Sequence, residues 1–449
     1  MAEEPKTPTP SGIKRPVAPG TQKAVAADGR SIGDSTRGKK PAAKEAKPPP
    51  ADPRKKTKVP TRPKKKNSDA AAKKRKKAGD QDILAEKAKG DRPRYVFVVP
   101  CFDGTGSESE AYAVSVVHEL ARRGSEILVI TGKGSSEGEH VTVRRSNPLM
   151  MGRKAIRTFK PRHIIDWGYN IPAEFRRVDS PYEQVFKHTI GACNGLTRLI
   201  KSLQLRFGRA HRHHIHKQRA LMGVSRTQFL AQSNLVAEDL KNAGVERGRI
   251  HVLPYGVDLE KYAPSAAGAE AKALRKQHGF GDGEVVFLSV ADDPNLVDLD
   301  LLRSTFTVIH GETSNVRLLH MGACNPGWSE AWFTHIDRPV KSEAVFAAAD
   351  AFVHPAVYDA CGAAVIQAMA AGLPVVTTEN VGSLKLVKDS GGALFAPVRQ
   401  DNAADRWTQA VKPLASDAEK RAQLGEAGRK AASQRTLQAF VDQLEDILK

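Results

Sequence analysis

The sequence predicts an α/β protein of two Rossmann-like, doubly wound domains facing each other across a cleft, preceded by a disordered basic tail. Three observations predict it. Residues 1–91 are rich in Lys, Pro and Ala and almost free of aromatic and large aliphatic side chains. From Arg94 the texture switches to the apolar, β-rich run "RYVFVVPCF", followed by a glycine loop, a helical period and a second apolar run. The same order returns from Glu284 onward.

The tail comes first. Residues 1–90 hold 25 Lys+Arg against 10 Asp+Glu, so +15 of the formal net charge of +20 sits in one fifth of the chain. Such a segment buries too little surface to offset the entropy of ordering, which predicts disorder. Its partners are then electrostatic: nucleic acid through phosphate neutralisation, or an anionic membrane surface. A solvated, nonspecific polycation is the plainer reading. "PRKKTKVP" resembles a nuclear import signal, but that pattern arises easily in any Lys-rich tract. The lack of interleaved aromatics weighs against a base-stacking single-strand binder.

The rest of the 449 residues, in a chain 40% hydrophobic, suffices for two domains with real cores. There is no apolar run of membrane-spanning length and no amino-terminal apolar signal segment, which points to a cytoplasmic protein, free or peripheral at the inner face of the membrane. Cys101, Cys193, Cys324 and Cys361 are far apart without CxxC spacing, as expected of reduced thiols.

Residues 92–256 read as the first domain. The strand "RYVFVVPCF" ends in "DGTGSESE", the helix "AYAVSVVHELARRG" follows, and "EILVITGKG" is the second strand. Residues 257–449 read as the second domain. Its strand "EVVFLSV" leads through "ADDPN" to the helix "LVDLDLLRSTFTVIHG" and the strand "VRLLHMG", with further strands at "AFVHP" and "LPVVTT" around the helix "CGAAVIQAMAAG". "RIHVLPYGVDLEKYAP" lies between them as the hinge. Open α/β sheets bind ligands at the carboxyl ends of their strands, so the site belongs in the cleft. The architecture alone leaves the chemistry open, because kinases, epimerases and binding proteins share it.

Two segments narrow the choice. The hinge "RIHVLPYGVDLEKYAP" and "AADAFVHPAVYDACGAAVIQAMAAGLPVVTTENVGS" resemble the hinge and the carboxyl-terminal signature of the retaining family 4 glycosyltransferases of the GT-B fold, most like the lipopolysaccharide core glucosyltransferase subgroup. "KPRHIIDWGYNIPAEF" fits that subgroup more loosely, and the resemblance covers roughly residues 94–440. It implies transfer of a hexose, with retention, from a nucleotide sugar to a glycan or lipid-linked acceptor, without a cofactor or metal.

The resemblance also assigns residues. Two family glutamates correspond here to Asp359 and Gln367. Asp359 takes the catalytic place, meeting hydroxyls of the transferred sugar, and Gln367 that of the ribose acceptor, a neutral group that accepts weaker hydrogen bonds than a carboxylate. Gly362 and Ala363 open a helix whose free amides attract a diphosphate that only small side chains let approach. Gly322 and the loop residues Gly104 and Gly106 complete the donor side, whereas Glu110, with Glu108 its alternative, and Glu174 fall on the acceptor side. Leu296 and Val297 stand where the family places an Arg and a Lys on the diphosphate, among Asp292, Asp293 and Asp298. Weak or lost activity is the expectation, and a degenerate sugar- or partner-binding module is the first alternative. A nucleic-acid binder acting through the tail is the second. "HRHHIH" at 211–216 pairs histidines at i,i+3, but no Cys or carboxylate joins them at ligand spacing, so no metal site is assigned and a basic face near acceptor phosphates is preferred.

Overall fold

A computed structural model of the protein describes residues 92–146, 152–193, 195–338 and 341–449. The tail, with its expected disorder and electrostatic partners, lies outside the described residues.

The first half runs β1 (Arg94–Cys101), α1 (Glu108–Arg122), β2 (Glu126–Lys133), β3 (Val141–Arg145), α2 (Gly152–Phe159), β4 (His163–Trp167), β5 (Phe175–Val178), α3 (Tyr182–Gly191), α4 (Gly195–Phe207), α5 (Arg209–Met222), β6 (Gln228–Ala231), α6 (Asn234–Asn242) and β7 (Ile250–Val252). Its strands form one parallel sheet in the order β3-β2-β1-β4-β5-β6-β7. Tyr95 to Val99 of β1 are all buried, because helices cover both faces of a parallel sheet and its central strands read as unbroken apolar runs. Helix α1 starts at Glu108, three residues before the segment read as helical, because Ser107 and Glu110 form a capping box.

The second half runs α7 (Gly268–Gln277), β8 (Val285–Val290), α8 (Leu299–Glu312), β9 (Val316–Met321), β10 (Phe333–Ile336), α9 (Glu343–Ala347), β11 (Ala351–His354), α10 (Ala363–Ala370), β12 (Val375–Thr377), α11 (Leu384–Ser390), β13 (Ala393–Phe395), α12 (Ala403–Ser416), α13 (Ala418–Ala432) and α14 (Leu437–Ile447). Its parallel sheet is ordered β10-β9-β8-β11-β12-β13. Both sheets are doubly wound around their first strand, as the repeated pattern predicts.

The last helix crosses back to the first half. Arg123, just past α1, reaches Asp442 at 2.5 Å and Glu445 at 3.1 Å, and Phe440 sets its edge against Tyr112 with ring centroids 5.1 Å apart. The crossing is stitched at the hinge. The Val257 amide donates to Arg435 at 2.7 Å and the Leu437 amide donates back to Val257 at 3.1 Å. A Cβ on Gly256 would fall 2.2 Å from the Thr436 carbonyl oxygen.

Two predictions follow from this packing. Gly256→Ala pushes the two crossing segments apart and is expected to cost about 1–3 kcal/mol, read as a lower midpoint in denaturant and thermal unfolding. Asp166, buried beside Arg176, is raised to about 6, because burial outweighs the opposing Arg176 charge and the Asn170 hydrogen bonds. A raised folded value means that the native state holds the proton more tightly, so this contribution is full below about pH 4 and is lost as pH rises through about 6. Melting curves of the parent and of Asp166→Asn, whose amide does not titrate, should therefore diverge across that window to the disadvantage of the parent.

Candidate functional site

The carboxyl ends of both sheets meet at a cleft of about 420 Å³. Ser107, Tyr112, Arg177 and Asp179 enter from the first half, and Leu296, Arg338, Asp359 and Ala363 from the second. The halves are also tied across it. The Tyr358 hydroxyl donates to Asp239 at 2.8 Å and meets Ser180, and the Ser233 hydroxyl donates to the Ala360 carbonyl at 2.7 Å.

Asp359 lies in the cleft wall, in the loop between β11 and α10. One carboxylate oxygen accepts the amides of Cys361 at 3.1 Å and Gly362 at 2.7 Å, and the other meets His354 Nε2 at 3.0 Å. Burial by itself would raise its pKa. The His354 hydrogen bond and charge together with the two amides prevail, and hold the carboxyl below its usual range. Asp359 is thus an ionised acceptor for the turn that leads into α10, with three of its roughly four acceptor sites already engaged.

Gly362 has φ +73°, and a Cβ there would lie 2.1 Å from Ser383 Oγ. Its small size is therefore required by the left-handed backbone and by Ser383, before any ligand is considered. Ala363 and Ala364 do line the cleft. As the first residues of α10 their amides have no intrahelical acceptor, and they open the positive end of the helix toward the cavity.

Gln367 sits one turn on, buried at 4% exposure, and lines a separate recess of about 250 Å³ at the hinge together with Gly104 and Gly106. Its Nε2 donates to Tyr255 Oη at 3.0 Å and to a Glu108 carboxylate oxygen. Arg338 approaches the other Glu108 oxygen at 3.6 Å and holds Asp292 at 2.8 Å. Burial raises the Glu108 pKa against the opposing Arg338 charge and Gln367 hydrogen bond. Gln367 is thereby committed to a side chain of the other half. Of the two acids weighed for the acceptor side, Glu108 enters the cleft, whereas Glu110 accepts the Ser107 amide at 2.8 Å in the capping box. The pattern Ser107-x-x-Glu110 was the sequence signal for that split. Glu174 is exposed at the amino end of β5, bonded to His163 Nδ1 at 2.8 Å, and so lies at the end of the sheet away from the cleft. Gly322, with φ +143°, packs against the Ala291 carbonyl beside the cleft. His211 of the histidine cluster bonds the Tyr182 hydroxyl at 2.7 Å.

Leu296 and Val297 both line the cleft, and Val297 is buried and pairs with Ala356. The acids around them are engaged. Asp292 holds Arg338, Asp293 accepts from the Asn295 side chain at 2.9 Å, and Asp298 caps α8 and pairs with Arg399 at 3.0 Å. Positive charge reaches the cleft from other positions. Arg177, at the end of β5, is 3% exposed and stacks on Trp167, 4.9 Å from the ring centroid, with Nε and Nη1 lacking a hydrogen-bond partner among the described residues. Its charge opposes the desolvation that raises the Cys361 thiol at the head of α10. Sequence reading missed Arg177 and Arg338, although "FRRV" places two arginines inside a buried strand, an expensive choice without a partner.

Residues 271–431 match the family of glycosyl transferases group 1. The crystal structure of WaaG, a glycosyltransferase involved in lipopolysaccharide biosynthesis, superposes with a TM-score of 0.63 at 17% identity, over 79% of this chain and 99% of that one. The chain has the GT-B fold and resembles the family 4 glycosyltransferases. The Anabaena protein Alr3699/HepE in complex with UDP-glucose superposes with a TM-score of 0.57 at 15% identity, covering 79% and 99% of the two chains. By sequence, the chain is 24% identical over 217 residues to the lipopolysaccharide glucosyltransferase WaaG of Escherichia coli K12 (45% of this chain, 58% of the relative). It is 26% identical over 229 residues to the D-inositol 3-phosphate glycosyltransferase of Nocardia farcinica IFM 10152 (45% and 49%). The chain thus spans about half the length of the curated relatives it matches.

Glu108→Ala should leave Gln367 and Arg338 without their shared acceptor and cost about 1–3 kcal/mol. Glu108→Gln, which keeps an oxygen for Gln367, should cost less. Thermal unfolding of the two variants beside the parent checks the order.

Proposed function

We propose that the protein transfers a hexose from a nucleotide-sugar donor, with retention, to a glycan or lipid-linked acceptor such as lipopolysaccharide core, working in the cytoplasm or at the inner face of the membrane. The observation that carries the reading is Arg177, a buried guanidinium with unpartnered nitrogens in the same cleft as the open first-turn amides of α10. A buried cation left without a partner is costly, and an anionic ligand relieves that cost. The group 1 family match and the GT-B fold, together with a structural neighbour that binds UDP-glucose, support a nucleotide sugar as that anion.

In this reading the diphosphate lies at the amides of Ala363 and Ala364, where the helix dipole favours negative charge. Arg177 takes the role that Leu296 and Val297 leave empty, and no resident metal or cofactor is required. Asp359, held rigid by three hydrogen bonds, offers its remaining lone pair to a sugar hydroxyl. The bond between the anomeric carbon and the phosphate oxygen breaks while the acceptor oxygen bonds to the same face. The departing phosphate takes the acceptor proton, so no dedicated base is needed. Charge that grows on that phosphate meets preorganised donors and a cation in a partly dry site.

The loss of Gln367 to Glu108 favours a second reading, a binding module that holds the nucleotide sugar without turnover. One experiment addresses both. The parent and Arg177→Met are screened with nucleotide sugars for a rise in melting temperature, and the best ligand is then followed for release of its nucleoside diphosphate. Ligand at a hundred times its Kd should stabilise the parent by about 2.7 kcal/mol. The Met variant, which lacks a charge-assisted hydrogen bond of about 1.5–3 kcal/mol, should bind at least tenfold more weakly. Stabilisation with diphosphate release supports the enzyme, and stabilisation without it supports the module. If no nucleotide sugar shifts the parent, the donor reading fails.

A further inference from the structure

Four residues, Glu108, Tyr112, Tyr255 and Arg338, line both the cleft and the hinge recess, so the two spaces adjoin at them. Glu108 is the acid among them. Its side chain, 24% exposed, leaves the first turn of α1 toward the second half, where one oxygen accepts from Gln367 Nε2 and the other stands 3.6 Å from Arg338 Nη1. The Gln367 contact is the one hydrogen bond this carboxylate accepts among the described residues. A carboxylate has room for about four, and the Arg338 contact is too long to count as another. Desolvation raises the Glu108 pKa against the Arg338 charge and the Gln367 bond, as expected of a carboxylate short of donors.

The place of that carboxylate matters for a nucleotide. With a diphosphate at the amides of Ala363 and Ala364 and a sugar at Asp359, the nucleoside extends away from Asp359, toward Gln367, which lies one turn from Ala363 and about 6 Å along α10. Ribose is the next group there. Its vicinal hydroxyls are best held by a carboxylate, which accepts stronger hydrogen bonds than an amide does. Position 367, the expected ribose acceptor, carries an amide. Both hydrogens of that amide are spent, one on Glu108 and one on Tyr255 Oη at 3.0 Å. Its oxygen cannot exchange places with the nitrogen without facing the Glu108 carboxylate. The amide therefore orients Glu108 and leaves the ligand to it.

We infer that Glu108, reaching across from the first half, supplies the carboxylate that accepts the ribose hydroxyls of a bound nucleotide. The inference rests on the donor reading of the cleft. Gln367 and Arg338 are then positioning residues, which hold the carboxylate at the junction of cleft and recess. A ligand bound in this way has its ribose held from α1 and its diphosphate at α10, so it bridges the two halves. The ligand class is a ribonucleoside diphosphate or its sugar ester, and the 2′-deoxy form is the analogue that the site refuses.

The test titrates the full chain calorimetrically with UDP, ADP and GDP, each beside its 2′-deoxy counterpart, in salt that screens the attraction of the basic tail for nucleotides. The parent should bind a ribonucleotide at least about tenfold more tightly than the deoxy form, which leaves a desolvated acceptor unpaired. Glu108→Gln should bring the ribonucleotide down to the deoxy level. Arg177→Met should weaken both forms by the same factor and keep their ratio. The double variant Glu108→Gln with Gln367→Glu returns a carboxylate to the junction from the opposite side and keeps the hydrogen bond between the two side chains. It should restore the preference, which a folding defect in the single variant would not allow. A parent without the preference, an unchanged preference in Glu108→Gln, or tighter ribonucleotide binding by that variant overturns the inference and leaves the donor reading standing. Absence of any nucleotide binding to the parent overturns both.

Discussion

The half-buried carboxylate of Glu108 is the interaction on which the cleft depends. It rises from the first turn of α1 and is held from the opposite half by Gln367 and by Arg338, which also keeps Asp292 in place. Three charged groups and an amide are thereby fixed at the edge of the cleft, and the arrangement persists because each satisfies another. Removing one member of such a network leaves the others desolvated and unpaired, which is worse than never having buried them. The start of α1 is therefore coupled to the loops after β8 and β10.

The same requirement shapes the amino end of α10. Helix α10 presents open amides, but the turn before it is held by protein: Asp359 takes the amides of Cys361 and Gly362, and His354 steadies the carboxylate. A ligand is left with the amides that follow, beside a negative charge that discourages free phosphate unless other groups compensate. Arg177 supplies that compensation from the far sheet, its planar group sandwiched among Trp167, Tyr112 and Phe440. Phe440 belongs to the last helix, so the return crossing that joins the halves also helps to hold the cation of the site.

Much of the fold was legible from a short list of residues. Val96 to Val99, Val285 to Val290 and Phe352 to His354 read as buried strands because a parallel sheet covered on both faces favours near-continuous apolar runs. The Asp359 to Gly362 stretch read as a helix start near a ligand because small residues at that place carry a backbone meaning. Less was legible where one residue type serves two ends. Glu110 and Glu108 look alike in sequence, and only the Ser107 cap separates them. Gln367 read as an acceptor for a ligand, yet its amide nitrogen found a carboxylate 259 residues away.

By itself the sequence determined two doubly wound sheets that begin at β1 and β8, and the presence of a small-residue helix start behind Asp359. These depend on periodicity and on residues a few positions apart, whose mutual geometry the backbone already dictates. The tertiary structure alone decided which charges reach the cleft. Arg177 and Arg338 reach the cleft that Leu296 and Val297 line without charge, and Asp292 and Asp298 are paired with Arg338 and Arg399. Coulomb interactions act through space over a few ångströms, and sequence separation carries no information about that distance.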